Sequence, residues 1–256
     1  MFGSRILILV PHPDDEVVGC GAAIGRARAQ GAEVFTLYLT HGCIARETLW
    51  PWQRKYYDAS TQRRRAEARD VAEKLGITPV GWSPRPARHL WRHLETVHAE
   101  IQQALAAYHI DQIWLPAYEG GNADHDALNA VGAKLAREGF PSILEFAEYN
   151  FFNGQTNSQR FLFPNDTEET LTLTPAEQTQ KREALKLYAS EQQNLNYVAV
   201  EREVYRPLAA YDYSQPPHPG TLWYARFQWV PFRHPRVDFT LPDEVSAAIQ
   251  RFLAMP

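Results

Sequence analysis

Cysteine is scarce in this sequence. Cys20 and Cys43 are the only two, too few for a disulfide framework, and two reduced thiols in an intracellular protein are expected. Long apolar runs are missing as well. No stretch approaches the roughly 18 apolar residues of a membrane span. The run near the N-terminus is short and breaks at Pro11-His12-Pro13, unlike a secretory h-region. Neither sign of charge dominates: a net charge of -4 gives no reason to expect nucleic acid or an anionic membrane surface as partner. Internal repeats, linkers and low-complexity stretches are lacking too. With 256 residues, 45% of them hydrophobic, the chain is long enough for one sizeable α/β domain over 1–256. A soluble cytoplasmic enzyme is expected, its oligomeric state open.

The most informative stretch is Arg5 to Gly21. Ile6-Leu7-Ile8-Leu9-Val10 are five consecutive aliphatic residues, three of them β-branched, and read as a parallel strand buried on both faces. Pro11 and Pro13 then stop the ladder, since neither donates a backbone hydrogen bond. The stiff loop that follows carries His12, Asp14, Asp15 and Glu16. So much negative charge at a strand end costs stability unless something positive sits in it, and a divalent metal answers that need.

Further strands are expected at Glu33–Thr40, Ile77–Trp82, Asp111–Pro116, Leu144–Tyr149 and Arg202–Pro207. Helices are expected at Val17–Gln30, Thr61–Leu75, Trp91–Ala107, Ala127–Glu138 and Thr174–Ser190, the last with Thr174 as N-cap and Pro175 at its first position. Strands alternating with helices give an α/β, Rossmann-like fold: a mostly parallel sheet with helices on both faces, a three-layer sandwich. Gly19-Cys20-Gly21-Ala22-Ala23-Ile24 is superficially a dinucleotide fingerprint, but Ile24 occupies the third glycine position and acidic residues precede it, so close helix-to-sheet packing is expected instead. His89, His93, His98 and His109 are expected on the surface, none at a clean ligand spacing. Trp50, Trp52, Tyr56 and Tyr57 mark an aromatic connection, either a platform for a sugar ring or a hydrophobic cover.

The loop Pro11-His12-Pro13-Asp14-Asp15-Glu16 resembles the fingerprint of the LmbE-like, or PIG-L, N-deacetylases, zinc enzymes that remove acyl groups from N-acylated amino sugars. The likeness extends over most of the chain. It implies that His12 and Asp15 are metal ligands and Asp14 the general base. In Asn122-Ala123-Asp124-His125, it implies that His125 is the third ligand and Asp124 the accompanying carboxylate. The chain departs from the family at Asn122, which stands where a histidine serves as electrophile. Asn122 can donate a hydrogen bond to an oxyanion but not a proton. His218, in the rigid loop Pro216-Pro217-His218-Pro219-Gly220, is a candidate to supply the missing donor. Arg64, Glu67 and Tyr118 are candidate substrate contacts, the first two by resemblance, although a solvated helix face suits most charges around Arg64. Lys181 to Gln192 resembles the family's Lys…Tyr-x-Ser-Gln helix, with Glu191 in place of Gln.

The residues carry a chemical argument of their own. Parallel strands ending at Val10 and Pro116 would open a common crevice, bringing His12, Asp15 and His125 to one ion and leaving a position for water. Zn2+ is the expected cofactor, and the same donors suit Fe2+. Asp124 and Asp126 could hold the ligand rings by their other N–H groups. The expected function is hydrolytic removal of an acetyl or similar acyl group from a small-molecule N-acyl amino sugar or glycoconjugate. The alternative is a retired enzyme that binds glycans and keeps a structural metal, a reading that Asn122 favours and Asp14 opposes.

Overall fold

The computed structural model describes residues 2–226, 228–229 and 239–255. Its main sheet has seven strands: β1 (Arg5–Val10), β2 (Glu33–Tyr38), β3 (Thr78–Trp82), β4 (Gln112–Pro116), β5 (Ile143–Phe146), β8 (Glu169–Thr172) and β9 (Arg202–Pro207), in the order β3-β2-β1-β4-β5-β9-β8. The first five are mutually parallel, and β9 turns the edge antiparallel against both β5 and β8. A separate two-stranded ribbon joins β6 (Tyr149–Asn150) to β7 (Asn157–Ser158). The helices are α1 (Asp15–Ala29), α2 (Tyr57–Leu75), α3 (Leu94–Ala107), α4 (Ala123–Arg137), α5 (Pro175–Leu187) and α6 (Pro242–Leu253).

The five aliphatic residues of β1 show why two layers of helix are needed. Successive side chains of a strand point to opposite faces. Ile6, Ile8 and Val10 accordingly join the core with Val17, Ile24, Val71 and Leu185 from α1, α2 and α5. Leu7 and Leu9 join the opposite core with Ile101, Val131 and Ile249 from α3, α4 and α6. The α/β sandwich of helix, sheet and helix is the expected one. Gly19 settles the false nucleotide motif: a β-carbon there would lie 2.3 Å from the Phe146 ring, so the glycine lets α1 lie close on β5.

Several boundaries differ from the sequence reading, each for a local reason. α1 begins at Asp15 rather than Val17, because Asp15 and Glu16 suit the positive end of a helix. α4 begins at Ala123 rather than Ala127: Asn122 caps it, its side chain accepting from the Asp124 N–H at 2.9 Å. The strand expected over Leu144–Tyr149 breaks after Phe146, and Tyr149 starts the small ribbon. The helix expected from Trp91 starts at Leu94 after a 3-10 turn at Leu90–Arg92, and α5 stops at Leu187. β8 and α6 were not anticipated. His98 is also corrected: it is buried, with Nε2 2.8 Å from Glu138.

Candidate metal centre

Strands β1 and β4 are neighbours from which the chain leaves in opposite directions along the sheet, β2 lying beyond one and β5 beyond the other. Open α/β sheets bind ligands at such a switch point, outside the carboxyl ends of the strands. Here the two loaded loops meet. His12 Nδ1, Asp15 Oδ2 and His125 Nε2 form a triangle with all three sides 3.3 Å. Tetrahedral bonds of about 2.0–2.1 Å from one ion subtend edges of about 3.3–3.4 Å, so the two imidazoles and the carboxylate fit Zn2+. No other group of three His, Cys, Asp or Glu among the described residues is arranged for a metal.

The electrostatics favour a cation. Burial lowers the basicity of His12, yet Asp15 and Asp124 outweigh it and push the imidazole up to about 10. Burial raises Asp15, but His125 and His12 win and hold its carboxyl well below the usual range. Asp14 is pushed up by burial, with Arg64 opposing and Asp15 adding to the rise.

The loop that presents these groups is tied down by its own side chains. The His12 N–H donates to Asp15 Oδ2 at 2.7 Å, and Thr40 Oγ1 donates to the Pro11 carbonyl at 2.7 Å. Arg64 donates to the Pro13 carbonyl and lies 3.2 Å from Asp14 Oδ2, with Glu191 at 3.5 Å on its other side. Asp14 itself holds φ at 138°, a region that L-residues rarely adopt and that costs on the order of 1–3 kcal/mol. Tyr188 on the far side donates to Glu16, and Lys181 forms a fully buried pair with Glu203 at 2.7 Å. Tyr188 thus braces the end of the loop, and Lys181 holds the Val18 carbonyl of α1.

The remaining expected site residues fall as follows. Asp124 is fully buried behind His12, 3.0 Å from its Nε2, and accepts the Arg88 and Leu90 N–H groups at 2.6 and 2.9 Å. Those contacts use its oxygens to hold the ring rather than to face the cleft. Asp126 holds no ring: it accepts the N–H groups of Glu119 and Gly120. Asn122 commits its oxygen to capping α4.

Arg64 is only 3% exposed and spends its charge on Asp14, so it reaches the site through that carboxylate. The Glu67 oxygens are engaged by Ser190 and Arg63. Tyr118 is buried and donates to the Gln215 carbonyl at 2.6 Å. His218 lies buried against Phe152 and the Gly120 turn, with Nδ1 2.9 Å from the Pro219 carbonyl. That bond places a proton on Nδ1. The aromatic connection exposes Trp52 and Tyr56 and stacks Trp50 on Trp52 at 5.3 Å, so these two rings are not a buried cover.

Two neighbours of the cluster were not anticipated, Glu148 and Tyr149. Glu148 is fully buried, 3.7 Å from His125 Nδ1. The Tyr149 ring stands edge-on to His125 at 5.9 Å. Burial pushes its hydroxyl well up, and hydrogen bonding with the Asn122 side chain opposes the rise. Gly121 permits this packing, since a β-carbon there would lie 2.2 Å from the Tyr149 carbonyl oxygen. Backbone cannot yield cheaply, so Gly121→Ala is expected to cost about 1–3 kcal/mol, read as a lower urea midpoint at unchanged m-value.

The family model described as PIG-L, GlcNAc-PI de-N-acetylase, matches residues 7–136, half of the chain. The chain belongs to the PIG-L family. A 1D-myo-inositol 2-acetamido-2-deoxy-alpha-D-glucopyranoside deacetylase from Kineococcus radiotolerans is 30% identical over 140 residues, which are 55% of this chain and 37% of that protein. Among solved structures, a deacetylase of the teicoplanin biosynthesis pathway superposes with a TM-score of 0.63 at 17% identity, covering 79% of this chain and 97% of that one. The N,N'-diacetylchitobiose deacetylase of Pyrococcus horikoshii gives 0.54 at 18%, covering 84% of each. These two structures share the fold. The PIG-L match ends within α4, so it includes both loops that supply the donor triangle.

Proposed function

We propose that this chain is a metal-dependent hydrolase that removes an acetyl or similar small acyl group from an N-acylated amino sugar or glycoconjugate. The observation that carries this reading is the 3.3 Å donor triangle with the spare carboxylate of Asp14 next to it. A purely structural site has no use for that carboxylate. The PIG-L membership and the activities of the relatives, which are deacetylases of acetamido sugars, point to the same chemistry.

His12, Asp15 and His125 would hold Zn2+, or Fe2+, which the same donors suit. A cation held there makes a water acidic near neutral pH and polarises an amide carbonyl. Asp14 accepts the proton of the attacking water and returns it to the departing amine. Arg64 holds the Asp14 carboxylate in place. Asn122, which stands where the family histidine would, offers its amide nitrogen to the oxyanion, and the Tyr149 hydroxyl next to it is a second donor. Asp124 keeps His12 in the tautomer with its proton on Nε2 and its lone pair on Nδ1.

Acetate release from a panel of N-acetyl amino sugars, with metal-loaded protein, tests the reading. Turnover supports it. Sugar binding without turnover would favour the glycan-binding alternative that Asn122 suggests. Asp124→Ala is expected to weaken metal binding about 10–100-fold, measured by chelator competition, because it frees the His12 ring.

A further inference from the structure

Three neighbouring strands end in this cleft, and the third delivers a carboxylate that the proposed chemistry leaves without a task. β5 stops at Phe146, and Glu148 follows two residues later. Its backbone is fixed from both sides: the N–H donates to Glu119 Oε1 at 2.8 Å, and the carbonyl accepts from the Gln159 N–H at 2.9 Å. The side chain is fully buried, yet neither carboxylate oxygen has a hydrogen-bond partner. Buried carboxylates are kept only where something pairs with them.

His125 faces the Glu148 carboxylate, with Nδ1 3.7 Å from Oε2, and the Asp15 carboxylate is also close to it. The two ligand histidines are arranged alike. His12 turns Nδ1 to the donor triangle and Nε2 to Asp124, at 3.0 Å. His125 turns Nε2 to the triangle and Nδ1 to Glu148. The contrast is in length, for 3.7 Å is too long for a hydrogen bond. Asp124 already accepts two backbone N–H groups, whereas Glu148 accepts none through its carboxylate.

The geometry points to Glu148 as the positioning residue of His125: its carboxylate takes the Nδ1–H when the site is filled, fixing the tautomer that offers Nε2 to the metal. This rests on the reading of His12, Asp15 and His125 as metal donors. Ligating imidazoles are commonly held in this way, and the partner sets affinity as well as orientation.

The test compares wild type, Glu148→Gln and Glu148→Ala, each prepared metal-free. Zn2+ affinity is measured by competition with a chromophoric chelator, and melting is followed without metal. Glu148→Ala should weaken Zn2+ binding about 10–100-fold. Glu148→Gln should weaken it less, since its amide oxygen still accepts the Nδ1–H but carries no charge. The metal-free Glu148→Gln protein should melt at the wild-type temperature or higher, because a buried carboxylate without a partner has been removed. A purely structural role would do the reverse, lowering the melting temperature while leaving affinity alone. Equal Zn2+ affinity in all three proteins overturns the inference. A wild type that binds no Zn2+ is a different failure, that of the donor triangle itself.

Discussion

Asp14→Asn is expected to lower turnover by about 10²–10⁴-fold, the usual cost of a missing general base, while metal stays bound. The amide has the shape of the carboxylate but cannot accept the proton. It also inherits the unusual backbone at φ 138°, so the loop has no new reason to relax. Arg64 loses one anionic partner but keeps the Pro13 carbonyl and Glu191, and its guanidinium is not left stranded. Single-turnover acetate release and elemental analysis on the same sample separate the two effects. Normal turnover by the variant would sink the assignment of Asp14, whatever the metal content.

The second large effect belongs to His125. Its Nε2 is one corner of the donor triangle, and no other described residue offers an imidazole or carboxylate to replace it. His125→Ala should therefore weaken metal binding by more than the about 10–100-fold that removing a partner behind the ligand costs. Dialysed protein should lose its metal. Asp15→Asn should do the same more mildly, because an amide oxygen is a poorer ligand than a carboxylate. Melting of the metal-free proteins is the control, since His125 is buried and its removal leaves a gap against Tyr149. Unchanged metal stoichiometry in His125→Ala would mean that a different set of donors holds the ion.

Much of this arrangement was legible in the residues because its signals are local. The strand at Ile6–Val10 and the loop at Pro11–Glu16 are contiguous, and the clash of apolar run, two prolines and three carboxylates is visible without a fold. The same holds for Gln112–Pro116 and His125. Glu148 and Tyr149 escaped because they continue an apolar, strand-like run without punctuation. Nothing in Glu145-Phe146-Ala147-Glu148-Tyr149 says that pairing ends at Phe146 and that the next charge faces a histidine 23 positions upstream. The signal was there in a weaker form, a carboxylate at the end of a third parallel strand. The burial of Arg64, Glu67 and Tyr118 was hidden for a related reason. Their types suit substrate recognition, but burial and commitment to partners are set by tertiary packing, and the sequence records neither.

The donor triangle joins atoms 113 residues apart along the chain, since His12 and His125 meet only when β1 and β4 pair. An unfolded chain therefore has no comparable site, and a bound cation weights the native state alone. Its contribution follows mass action: about 2.7 kcal/mol at a free concentration one hundred times the dissociation constant, and about 4.1 at a thousand. With a cation held there, the melting temperature would depend on the free metal concentration as well as on the core. Separation of β1 from β4 also takes the triangle apart and would release a cation held there, so depletion of metal and loss of the native fold would reinforce one another.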